Sequence, residues 1–259
     1  MFQSTDFVFD GKRGSDYGIF MVYVGDSGLV EQSFGIKRKS VSERTKNRHK
    51  SFSYGFETEV LEMNLKFTKE TAWTNEDKVE FKHWFAQNGF KVFKADDFDI
   101  EFDLTCVDEP KFYMDATGKG YYEIQFESNS DCAYSPTSIE EFDLTDNTAS
   151  GTIINIYNKS NAPDMYYKPE IEVTLTGSAT GFSFYNLNDN NREFTFTGLT
   201  SGETIYINTE TEKILSAISE TRYNDLKNKS FFRMVYGLNR IKILGTCIVK
   251  FRYRFPMMV

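Results

Sequence analysis

Phe231-Phe232-Arg233-Met234-Val235-Tyr236-Gly237-Leu238-Asn239-Arg240-Ile241-Lys242-Ile243 is the stretch whose reading decides the fold. Aromatic and β-branched side chains crowd it, and such residues suit a pleated, half-buried surface. It reads as the close of a C-terminal half made of short strands. Directly downstream, Gly245 to Phe255 sets Ile248, Lys250, Arg252 and Arg254 against Val249, Phe251, Tyr253 and Phe255, a strand with one wet face and one buried face. Upstream, residues 152–157, 169–175, 181–185, 192–196 and 204–207 are further strand candidates at short, turn-separated intervals. Such spacing predicts a sandwich or jelly roll. In residues 209–228, Ile214, Leu215 and Ile218 fit one helical face, whereas Asn224-Asp225 and the surrounding turn formers fit a hairpin, which is the expectation.

The N-terminal half is also strand-rich but carries one clear helix. Phe7-Val8-Phe9-Asp10-Gly11 stops at a turn, and residues 17–24 read as the returning strand of a first hairpin. Residues 37–50 are polar and basic, with Lys37, Arg38, Lys39, Arg44, Lys46, Arg48 and Lys50, and are expected as a charged loop. Met63, Leu65 and Phe67 alternate on one face of a strand. Thr74 and Asp77 have the spacing of a capping box, Phe81, Trp84 and Phe85 share a helical face, and Gly89 offers a left-handed stop, so a helix is predicted over about 75–88. Asp97 to Leu104 alternates strictly and predicts a strand. Phe112-Tyr113-Met114 and Tyr121 to Phe126 predict a strand pair joined through Thr117-Gly118-Lys119-Gly120. Asn129 to Ser150 is poor in large apolar residues and places a domain boundary near 140, giving domains 1–140 and 141–259.

Composition supports this architecture. Among 259 residues, 25 Phe and 15 Tyr outnumber 17 Gly and 5 Pro, a balance that suits β-strands packed over two real cores. A net charge of −8 argues against a basic footprint for clamping nucleic-acid phosphates. Cys106, Cys132 and Cys247 are odd in number and widely spaced, which predicts buried thiols instead of a disulfide framework. The start lacks a leader pattern and no run of about 18 apolar residues occurs, so a soluble protein without membrane insertion is expected.

Chemical motifs fail on context. Gly25-Asp26-Ser27-Gly28 looks like the nucleophile segment of chymotrypsin-like proteases, yet His49 and His83 both follow it, the wrong order for that triad. A hairpin turn explains it better. The two histidines show no HExxH spacing. Asp96, Asp97, Asp99, Glu101 and Asp103 lack the glycine of a calcium loop and are expected along a solvated face. Phosphate-binding glycine loops are absent. No catalytic, cofactor-binding or metal residue is therefore assigned, and an enzyme is not expected.

In order along the chain, several features resemble the distal tail protein family of long, non-contractile phage tails. They are the opening Phe7 to Gly11 with Ser15 to Ile19, the loop holding Arg44 and Arg48, and the helix ending at Trp84-Phe85. Asp131-Cys132-Ala133-Tyr134-Ser135, Asn158, Ala162-Pro163, Tyr167 to Ile171 and Phe232 to Ile243 continue the series. In the last of these, Gly237 and Asn239 look like the tight turn of the family's closing hairpin. The resemblance implies a mainly β protein: an N-terminal tail-tube-like β-barrel or sandwich with one helix, then a galectin-like jelly roll. It implies a homohexameric ring in the virion tail, assembled in the host cytoplasm. That ring would join the tail tube protein to a tail-tip hub protein, leaving a channel through which DNA passes. With no inserted arm in the second half, an adaptor is expected that lacks its own receptor-binding module. A carbohydrate-binding sandwich that adheres to the host surface is the alternative.

Overall fold

The computed structural model describes residues 4–24, 38–44, 51–161, 165–218 and 221–258. Two compact units divide the chain, one holding Met1–Ser135 with Met257–Val259 and the other Pro136–Pro256. The expected boundary at 140 falls inside a strand of the second unit, Ser138–Leu144.

In the first unit the strands are β1 (Phe7–Phe9), β2 (Lys12–Arg13), β3 (Ile19–Met21), β4 (Arg38–Arg44), β5 (Ser51–Thr58) and β6 (Glu62–Lys69). After helix α1 (Asn75–Phe85) come β7 (Lys91–Ala95), β8 (Phe102–Cys106), β9 (Lys111–Met114), β10 (Gly120–Ser128) and β11 (Ala133–Tyr134). One antiparallel sheet runs β2-β1-β7-β8-β10-β6-β3, with β9 also on β10. Its inner face and α1 enclose a core of rings. Phe9 and Phe67 lie 4.9 and 4.8 Å from Phe85, and Phe81 lies 4.5 Å from Tyr122.

Local chemistry explains the helix. The Asp77 amide donates to Thr74 Oγ1 at 3.1 Å and the Thr74 amide donates to Asp77 Oδ2 at 2.9 Å, so both halves of the capping box form. Phe81, Trp84 and Phe85 are buried, and Trp84 Nε1 donates to the Phe9 carbonyl at 2.9 Å. The helix stops at Phe85, three residues before the expected end. Gln87 Nε2 donates to the Trp84 carbonyl at 3.2 Å, occupying an acceptor that another turn would have used.

Pairing corrects several local readings. β1 turns at Asp10-Gly11, both at positive φ, into β2, while β3 pairs with β6 instead of β1. The expected strand 97–104 begins only at Phe102, because β7 precedes it and pairs antiparallel with β8, so the chain must reverse through Asp96 to Glu101. The basic segment is not simply a loop. Arg38–Arg44 is β4, which pairs with β5 in a separate two-stranded ribbon with a register shift between Val41 and Ser42. The β9–β10 hairpin forms as expected, its turn held by Asp115 Oδ1, which accepts from the amides of Thr117 and Lys119 at 2.8 and 3.1 Å.

The second unit contains β12 (Ser138–Leu144), β13 (Thr152–Asn158), β14 (Glu170–Leu175), β15 (Gly181–Asn186) and β16 (Arg192–Thr197). β17 (Thr204–Asn208), β18 (Lys213–Ser216), β19 (Gly237–Leu244) and β20 (Cys247–Tyr253) complete it. Two antiparallel sheets, β12-β20-β14-β17-β18 and β13-β19-β15-β16, share one core that includes Val173, Phe184, Phe194, Ile207, Ile243 and Phe251. This is a β-sandwich. Residues 209–212 connect β17 to β18 as a hairpin, and residues 221–228 carry no regular strand.

Phe232 to Ile243 is not a hairpin. Met234 bridges to Tyr167, whereas Gly237 onward pairs with β13, so the chain turns a corner at Val235 to Gly237 and then runs straight as β19. Gly237 takes φ 78° there. Asn239 is buried inside the corner: its Oδ1 accepts from the Val235 amide at 2.8 Å, and its Nδ2 donates to the carbonyls of Val235 and Gly237 at 2.9 and 3.0 Å. The actual reversal is Gly245-Thr246, which carries the chain from β19 in one sheet to β20 in the other.

Candidate assembly surfaces

The residues weighed for chemistry are scattered. Gly25 to Gly28 and His49 lie outside the described residues. His83 is exposed on α1, and among the described residues no three His, Cys, Asp or Glu side chains gather to hold a metal ion. The acidic run is divided among separate partners. Asp96 meets Arg13 at 2.5 Å, Asp99 meets Lys94 at 3.0 Å, and Asp103 accepts from Asn129 at 3.0 Å. Arg13 also reaches Asp6 at 2.8 Å; burial works to raise the Asp6 pKa, but the hydrogen bonds of Ser15 and Arg13 outweigh it and hold the carboxyl low.

All three cysteines are free thiols; Cys132 and Cys247 are buried as expected, whereas Cys106, the last residue of β8, is only partly buried. Burial pushes the Cys247 thiol up to about 11, so it stays protonated and packs as a small apolar group.

Two hollows among the described residues carry no gathered nucleophile and base. A groove of about 220 Å³ is lined by Thr180, Phe182, Ser183, Phe196, Thr197 and Leu244 with three glycines, and no titratable side chain lines it. A smaller recess of about 50 Å³ beside α1 is bounded by Lys12, Tyr17, Asp77, Glu80 and Trp84. Here Asp77 already serves the capping box and Lys69, at 2.7 Å.

What the molecule presents instead is surface. β4 and β5 pair only with each other among the described residues, so each keeps an outer edge; Arg38, Lys39 and Arg44 belong to β4, while Lys37, Lys46, Arg48 and Lys50 lie outside the described residues. The β9–β10 hairpin exposes Met114 beside the stacked pair Tyr113 and Tyr121, whose centroids are 5.0 Å apart.

On the second unit, Arg233 is clamped by buried Asp189 through bonds of 2.7 and 3.1 Å, and its guanidinium lies 3.5 Å from the centre of the half-exposed Tyr166 ring. This three-residue stack went unread in the sequence because its members are up to 67 positions apart.

One side of the sandwich is closed by residues 221–228. Arg222 grips Glu203, the Lys227 amide donates to the Thr195 carbonyl at 2.9 Å, and the Thr197 amide donates to Asp225 at 3.1 Å, so the edge of β16 is covered. Tyr223 accepts from the Ile214 amide at 3.2 Å and occupies the edge of β18.

Comparison with known proteins finds phage tail relatives for both units. Residues 2–130 match the family model described as a phage tail protein N-terminal domain, and residues 133–253 match that of a phage tail C-terminal domain. The SPbeta prophage-derived protein YomH of Bacillus subtilis strain 168 is 23% identical over 256 residues, 98% of each chain. The SPP1 Dit protein, described as a hub of the adsorption apparatus in phages infecting Gram-positive hosts, shares the fold with a TM-score of 0.67 at 12% identity, over 96% of this chain and 98% of that one. A chain of the phage P2 baseplate in its activated conformation gives a TM-score of 0.53 at 11% identity, over 96% of this chain and 97% of that one. With its two halves matched in order by these domain models, the chain belongs to the phage tail protein family and has the Dit fold.

Proposed function

We infer that this structural tail protein forms a closed six-membered ring at the distal end of the tail tube, joining the tube protein to the tail-tip hub and leaving a passage for DNA. The observation that carries this reading is the β4–β5 ribbon, paired with no other strand among the described residues. Unpaired strand edges invite pairing with another chain, and a neighbouring subunit in a head-to-tail ring would satisfy them. The N-terminal unit would line the passage and the C-terminal sandwich would project outward. In this role the chain acts through interfaces in the virion tail, not through catalysis.

Negative-stain imaging of the purified protein tests the ring. Six-fold rings with a central opening are the expected result; a strictly monomeric protein at every concentration tried would overturn it. The alternative, adhesion through sugar stacking on exposed tyrosines, is weakened at Tyr166, which gives one ring face to Arg233. Glycan-array binding lost on Tyr166→Ala would restore that alternative.

A further inference from the structure

Four strands form the sandwich edges, and three of them carry a device that discourages pairing with another chain. β12 bears Glu140, Glu141 and Asp143, β16 is covered by Asp225 to Lys227, and β18 is four residues long with Tyr223 on its edge. Among the described residues, β13 has none of these. Its sequence, Thr152-Ile153-Ile154-Asn155-Ile156-Tyr157-Asn158, contains no charge and no proline, and its seven residues pair with β19 in unbroken register.

Register identifies the open groups. The Leu187 amide bonds the Arg240 carbonyl at 2.9 Å, so the Arg240 backbone faces β15. By alternation along an antiparallel strand, Asn239, Ile241 and Ile243 face β13, where they stand opposite Ile156, Ile154 and Thr152. Ile153, Asn155 and Tyr157 therefore direct their N–H and C=O groups away from the sheet. Their side chains are exposed too.

Charge selects the occupant. Behind β13, the outer face of β19 carries Leu238, Arg240 and Lys242, and neither cation has an ion pair among the described residues. No carboxylate stands on the outer face of β13, β19 or β15. The other sheet is different: Lys250 sits between Glu141 and Glu172 at 3.5 and 3.3 Å, and Arg252 lies 3.7 Å from Glu170. The one outer-face carboxylate of the β13-β19-β15-β16 sheet, Glu193 on β16, takes Lys227 as its ion partner at 3.5 Å, so Arg240 and Lys242 are left without a paired carboxylate among the described residues.

We propose that the free edge of β13 accepts an extended acidic segment of another protein as an added strand, its carboxylates answering Arg240 and Lys242. A second copy of β13 is a poorer occupant because that strand brings no carboxylate. The proposal goes beyond the ring, since β13 belongs to the second unit and the ribbon to the first.

The test uses the full chain and a labelled peptide, Thr-Glu-Val-Glu-Val-Glu-Val-Thr, with a lysine-for-glutamate analogue and an alternately N-methylated analogue. Binding is read by anisotropy and by amide exchange at residues 153, 155 and 157. The acidic peptide should bind at least tenfold more tightly than either analogue and slow exchange at those three amides. Arg240→Glu with Lys242→Glu should turn the preference toward the lysine peptide. Asn155→Pro removes an N–H that β19 does not use; it should abolish binding with the circular dichroism spectrum unchanged. Equal binding of all three peptides, or no protection at the three amides, overturns the proposal. Protection that appears without peptide and grows with protein concentration assigns the edge to a second copy and also overturns it. Ring formation in the same preparations is read separately by microscopy, so the two readings fail independently.

Discussion

Arg222 and Glu203 form a two-bond ion pair, Nε to Oε1 and Nη2 to Oε2, each at 2.7 Å, with the carboxylate fully buried. Ser216 Oγ and the Thr200 amide complete its shell at 2.5 and 2.8 Å. Through this pair, residues 221–228 are fastened over the edges of β16 and β18.

Arg222→Ala strands that buried carboxylate and should lower the melting temperature by on the order of 10 °C. Amide exchange at Thr197 and Ile214 should rise in the same variant. A wild-type melting curve with normal protection at both amides would contradict the fastening role.

Acid should weaken the same contact. Burial works to raise the Glu203 pKa, but hydrogen bonds from Arg222, Ser216 and the Thr200 amide outweigh it, so the folded value lies below the ordinary 4.5. A group depressed on folding stabilises above its unfolded pKa and loses that contribution as pH falls through the folded value. Stability should therefore drop below about pH 4.5. Glu203→Gln should be less stable at pH 7 and show a shallower acid limb in urea titrations at several pH values.

Thr74→Ala removes the acceptor of the Asp77 amide and one half of the capping box. Denaturant unfolding should report a loss of about 1 kcal/mol. Thr74→Ser should recover most of it.

Asn239→Ala takes away three bonds that hold the Val235 to Gly237 corner and leaves the Val235 amide unpaired. A loss of roughly 2–4 kcal/mol is expected from the stranded polar groups. Asn239→Asp should not rescue, because a carboxylate cannot donate to the Val235 carbonyl.

Replacing residues 38–58 by a short Gly-Ser link removes the β4–β5 ribbon while leaving the main sheet's pairings in place. Rings should disappear in micrographs, with the melting temperature changed by only a few degrees. Persistence of six-fold rings in this variant would remove the ribbon from the assembly.

Much of the fold was legible where chemistry is local. Thr74 and Asp77 announce the helix start, and Val249, Phe251 and Tyr253 alternate with Ile248, Lys250 and Arg252 because β20 has one buried face. Readings failed where a distant partner decides. Gly237 and Asn239 have the local look of a tight turn, but pairing with Asn158 and Ile156 of β13 holds the segment straight. Asp97 to Leu104 alternates whether or not it is extended, and only the pairing of β7 with β8 reveals the reversal within it. Arg38–Arg44 lacks an apolar face because its ribbon lies outside the main sheet, so periodicity gave no strand signal. The vacant β13 edge was invisible for a related reason: being an edge is a property of strand order, which no window of sequence contains.

The return of Met257–Val259 to the first unit makes residues 136–256 a loop-like insertion between two parts of one body. Recombination that exchanges this cassette at its two seams would hand a phage a new sandwich without redesigning the element that carries it.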